Sequence, residues 1–232
     1  MKACIQGRIV WGLALFIIAG NCSLAQINVR SQRSKRERPS QVISWEPPAF
    51  PGLALMDARP TVPRMMVPSI YLAGSKVVLE ETSLGGLQAR FLGKVGHSGD
   101  AGYALSWLCV TGMSHEGRWI IWLESGELDG GTVGSFQWLS ISRDARVDSR
   151  CGRIAGLMRS VTLPHRLQLG MSAQSLLKTL GKPTARRGNT LVYLHEHQSM
   201  IHKMPYTTDN AVAVIQSKGA VRQIAVSQTT TD

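Results

Sequence analysis

The residues best placed to do chemistry are His195-Glu196-His197, with His202 shortly after them. On a strand, His195 and His197 share a face, so two imidazoles could reach one ion, with His202 or Asp209 completing the set. No cysteine ligand or helical His-x-x-x-His pair accompanies them. Solvated histidines beside a turn are therefore the competing reading, and no cofactor is expected. Glu124, Glu127 and Asp129 bring three carboxylates into one predicted Gly-rich loop, where facing water is a simpler role than acid/base work. There is no Gly-x-Ser-x-Gly elbow, and Gly96 to Gly102, holding His97 and Asp100, leads into no helix that could receive a phosphate. No catalytic residue is assigned.

Tryptophans carry more information. Trp119 and Trp122 fall on opposite faces of one predicted strand, and its neighbours carry Trp107 and Trp138. One sheet face must pack a helix, so Trp119, Trp122 and Trp138 include bulky surface that is either covered or offered to a partner.

The first residues set the compartment. Lys2 and Arg8 precede the apolar run Ile9 to Gly20, and Ser23-Leu24-Ala25 offers small residues for cleavage. The run is shorter than the roughly 18–20 residues of a spanning helix, so residues 1–25 read as a signal peptide cleaved after Ala25. An uncleaved anchor is the alternative. Lipidation at Cys22 is disfavoured because Asn21 precedes it. The chain is then periplasmic or secreted. Cys109 and Cys151 remain after cleavage, and an oxidising compartment favours a disulfide between them over two free thiols.

The whole chain carries 26 Lys+Arg against 15 Asp+Glu, and the excess points to anionic partners. Much of it falls in residues 26–66, a Pro-containing arm that includes Arg33, Lys35, Arg36 and Arg38. Its composition predicts disorder, as a solvated linker or as an arm lying on an anionic envelope surface. Nucleic acid is not an expected partner of an exported protein.

Two α+β units are predicted beyond the arm, spanning 67–150 and 151–232. In the first, Ser83 caps a helix whose Leu84, Leu87 and Phe91 share a face, and Gly93 ends it in the left-handed conformation. Strands follow at Tyr103–Val110, Arg118–Leu123 and Val133–Ile141. In the second, Ser172 caps a helix that Gly181 and Pro183 stop, and strands follow at Asn189–His195, Ala211–Ser217 and Ala220–Ser227. The expected fold class is α+β, with two tandem helix-plus-antiparallel-meander units.

Leu169-Gly170-Met171-Ser172, Leu180-Gly181-Lys182-Pro183 and Leu191-Val192-Tyr193 resemble the SmpA/OmlA (BamE-like) family. The resemblance covers at most 168–228 and implies a small α+β unit in the bacterial envelope. The tandem arrangement is similar to that of secreted β-lactamase inhibitor proteins, which act by binding another protein. The expected function is non-enzymatic: an exported protein that binds a protein or envelope component through its sheet surfaces and basic arm. A hydrolase of an envelope polymer, metal-dependent or otherwise, is the alternative.

Overall fold

The computed structural model describes residues 41–56, 66–100, 103–114, 117–154, 161–201 and 203–232. In chain order the strands begin with β1 (Val42–Ile43), β2 (Ser69–Leu72), β3 (Ser75–Val78), β4 (Val95–Ser98), β5 (Leu105–Ser114), β6 (Gly117–Gly126) and β7 (Ser135–Ile141). They continue with β8 (Arg146–Val147), β9 (Gly152–Arg153), β10 (Val161–Thr162), β11 (Ala185–Arg187), β12 (Thr190–Ile201), β13 (Met204–Ser217) and β14 (Ala220–Thr231). The α-helices are α1 (Leu84–Phe91) and α2 (Ala173–Leu180).

The predicted α+β tandem is corrected. The described residues are mostly strand, with two eight-residue α-helices, and the strands build one nine-stranded sheet rather than two units. Its order is β11-β12-β13-β14-β7-β6-β5-β4, with β9 running parallel beside β5. The join is the antiparallel pairing of β14 with β7, from Gln223 opposite Leu139 to Ser227 opposite Ser135. Across it, Ile224 and Val226 lie beside Trp138 and Phe136, all buried. Both runs of strands can therefore bury their apolar faces in one core, which removes two sheet edges at once.

One face of the sheet carries Val110, Ile121, Trp138, Ile224 and Val214, packed beneath Leu84, Leu87 and Phe91 of α1 and Leu176 and Leu180 of α2. Strands β2, β3 and β10 form a small second sheet over the same core. Local rules explain the helices in part. Ser172 Oγ accepts from Ser175 N–H at 3.2 Å, and Gly181 ends α2 at φ 82°. At α1, Leu92 rather than Gly93 takes the left-handed conformation, at φ 56°. Gly93 is needed for space: a Cβ there would lie 2.7 Å from Leu108 Cδ1 and 3.0 Å from the Gly152 nitrogen.

The opposite face is covered by residues 41–56, which the composition assigns to a disordered arm. They cross the sheet as a half-buried strap. Ile43 and Trp45 pack with Trp107, Trp122 and the disulfide, while Phe50 and Leu55 pack on Val192, Ala213 and Ala225. Main-chain pairing anchors the strap at its start, where β1 runs parallel to β8.

Candidate functional site

The disulfide is present: Cys109 on β5 joins Cys151, just before β9, with Cα atoms 4.6 Å apart. It fixes the segment bearing β8 against the sheet and so supports the anchor of the strap. Arg150 stacks its guanidinium 4.0 Å from the Trp45 ring centre. The same side chain pairs with Asp148 at 2.7 Å, and those hydrogen bonds hold the Asp148 carboxyl down at about 2.

The tryptophans do not form an exposed surface. Trp119 and Trp138 are buried in the helix-side core, and Trp122 is buried beneath the strap. Each sheet face has its own cover within the chain, which accounts for aromatics on both faces of one strand. Trp122 instead donates its indole N–H to the Trp45 carbonyl at 3.0 Å.

Glu124, expected in an exposed loop, belongs to β6 and is 6% exposed. Burial pushes its carboxyl up to about 7, against the lowering effect of hydrogen bonds from Gln137 and Ser135. Gln137 Nε2 donates to Glu124 Oε1 at 2.9 Å and to the Pro48 carbonyl at 2.6 Å, while Gln223 Nε2 donates to Gln137 Oε1 at 3.1 Å. The chain Gln223–Gln137–Glu124–Ser135 thus runs under the strap and bonds to it. Glu127 and Asp129 sit apart, in a short 3-10 turn. Asp129 accepts from Gly126 N–H at 2.5 Å and borders an open hollow of about 590 Å³ with Leu105, Leu128, Ser135 and Gln228.

The histidines lie at the far end of the sheet. There β12, β13 and β14 run past their neighbours: β11 covers β12 only at Thr190–Val192, and β7 covers β14 only as far as Ser227. His195 and His197 share a face there, with ring centres 6.5 Å apart. Burial first, and the neighbouring His197 second, lower the His195 pKa. Its Nδ1 is buried without a hydrogen-bond partner. No group of three or more metal-ligating side chains occurs among the described residues. His202 lies outside the described residues, as do Arg33, Lys35, Arg36, Arg38 and the predicted signal peptide. On the opposite face Glu196 stands directly across from Asp209. The Asp209 carboxyl is raised by burial and then by that like charge.

The edge itself is the more useful feature. Leu194 N–H points outward to Thr184 Oγ1 at 3.0 Å, so strand alternation turns the main-chain groups of Glu196, Gln198 and Met200 outward as well. No strand lies beside them among the described residues. Met200 and Met204 at the tip are 68% and 52% exposed. Glu80 braces the other side of this extension, accepting from Thr230 N–H at 2.6 Å and from Gln228 Nε2 at 2.9 Å. Sequence reasoning missed the edge because Thr207, Thr208 and Thr229–Thr231 are polar. Their β-branched side chains were the available signal. Compared with family models, curated proteins and solved structures, the chain matches none.

Proposed function

We propose that this chain is an exported envelope protein that works by binding, taking an extended segment of a protein partner onto the open edge of β12. The observation that carries this reading is the row of outward main-chain groups at Glu196, Gln198 and Met200, beside which no strand lies among the described residues. A partner strand would satisfy those groups in the manner of strand addition. Two local costs fall at the same place: the unpartnered His195 Nδ1 and the like-charged Glu196–Asp209 pair. Such departures from local consistency are expected at functional or strained sites. The signal-like first residues and the resemblance of 168–228 to an envelope family support the setting, and the Cys109–Cys151 bond suits an oxidising compartment.

The test places a photocrosslinking side chain at Gln198 and, as a control, at the exposed Leu128, in cells exporting the full chain. A discrete adduct is expected from position 198 alone. It should disappear when Glu196→Pro removes an outward N–H without altering the unfolding midpoint. Absence of an adduct, or equal adducts from both positions, refutes the reading. An adduct of twice the chain mass identifies a second copy instead of a partner protein.

A further inference from the structure

We propose that the sheet face under residues 45–51 is a recognition groove for Pro-rich extended segments, and that Trp45 to Pro51 is its ligand bound in cis. The segment contains no helix or strand and includes Pro47, Pro48 and Pro51. Each proline fixes its own φ and drives the preceding residue toward an extended conformation. A proline lacks an N–H, so such a segment presents carbonyls, and a groove that recognises it must supply donors. This face supplies two: the Trp122 indole N–H to the Trp45 carbonyl, and Gln137 Nε2 to the Pro48 carbonyl. Gln137 is aimed in advance, because its own oxygen is occupied by Gln223 and its nitrogen is held at Glu124.

Aromatic contacts mark each end of the recognised stretch. Trp45 meets Trp107 edge-on, with ring centres 5.2 Å apart, and is backed by Arg150. Phe50 lies over the small floor formed by Ala213, Ala225 and Val192. Donor side chains and an aromatic-lined trough are the chemistry by which polyproline segments are bound elsewhere.

Exchange is possible because of how the strap is attached. From Trp45 onward it joins no strand of the sheet, and its hydrogen bonds to that sheet come from side chains. Pro48 itself is exposed. Lifting the strap from Trp45 onward therefore breaks no ladder of the nine-stranded sheet, and the β1–β8 pairing can stay in place. The occupant in trans is a protein segment with an aromatic residue, a Pro-Pro pair and a second aromatic, spaced as in Trp45-Glu46-Pro47-Pro48-Ala49-Phe50.

The experiment uses the full chain and a fluorescent peptide of residues 41–56. A Trp45→Ala/Phe50→Ala variant, with its own strap weakened, is expected to bind the peptide saturably and at least about tenfold more tightly than the wild-type chain does. Replacing Pro47 and Pro48 of the peptide by alanine should weaken binding about tenfold or more. A folded variant that does not bind, or that binds both peptides equally, overturns the proposal. Should the variant fail to fold, the wild-type chain decides by hydrogen exchange. The Trp122 indole N–H should exchange faster than the Ile121 amide and with a smaller denaturant dependence. Exchange of both only through global unfolding makes the strap an integral part of the core and overturns the proposal. A strap-exchanged dimer would replace the partner protein by a second copy.

Discussion

Replacing Glu124 by glutamine should flatten the pH dependence of stability on the neutral side. Glu124 is buried beneath the strap, and its carboxyl is raised from an ordinary 4.5 to about 7. Between those values the folded chain holds a proton that the unfolded chain has released. Stability therefore falls as pH rises through this window, by up to about 1.4 kcal/mol per pH unit, and levels off above it. The whole displacement amounts to roughly 3 kcal/mol, a large part of a typical domain's stability. Glutamine cannot ionise, yet its carbonyl can still accept from Gln137 Nε2 and its amide can donate to Ser135 Oγ. Urea unfolding of both chains at pH 5, 6, 7 and 8 isolates the effect, because the histidines and the raised Asp129 and Asp209 are common to both. The stability of E124Q relative to wild type should grow by about 2.5 kcal/mol from pH 5 to pH 8, the part of that displacement falling in this range. A difference that stays constant over that range would show that Glu124 is ionised in the folded chain at all these pH values, and would refute the reasoning.

The remaining predictions concern the supports of the sheet. A Cys109→Ala/Cys151→Ala chain should lose about 4 kcal/mol on the loop-entropy model, for a sequence separation of 42 residues, and its melting should no longer respond to reductant. Thiol titration of unfolded, unreduced wild type should find neither of these cysteines free. Glu80→Ala removes acceptors from Thr230 and Gln228, so the Thr230 amide should exchange faster, by an opening free energy about 1–3 kcal/mol lower. Gly112→Ala would drive a methyl into the Trp119 ring and should cost about 1–3 kcal/mol, read as a lowered urea midpoint.

Much of the local structure was legible. Ser172 and Gly181 bound α2 as their chemistry requires, and the apolar runs around Trp107, Ile121 and Trp138 are strands. The joining of the two runs was not legible, because β7 and β14 each look like any half-apolar strand and nothing local names Gln223 and Leu139 as neighbours. The same limit hid the strap. Its prolines and polar residues supply little burial of their own, and its hold on the fold comes from donors on Trp122 and Gln137, far along the chain. Gln137, a polar residue between Phe136 and Trp138, is fully buried. It stands opposite Trp122 on the face that the strap covers, a register that only the folded sheet reveals. At the histidines, spacing identified the shared face of His195 and His197, but not the unpaired edge that makes the place distinctive.

The strap also constrains the order in which the chain can fold. Its residues are synthesised early, but the ground they rest on comes much later: Gln137 lies 89 residues beyond Pro48, and Ala213 and Ala225 come later still. Until β12, β13 and β14 have paired, Phe50 and Leu55 have no floor to meet. The opening stretch must therefore wait, exposed, while the sheet completes itself. Contacts of such long range make for slow folding. A chain truncated before Ala220 should leave that stretch permanently unseated, open to proteases and to other chains.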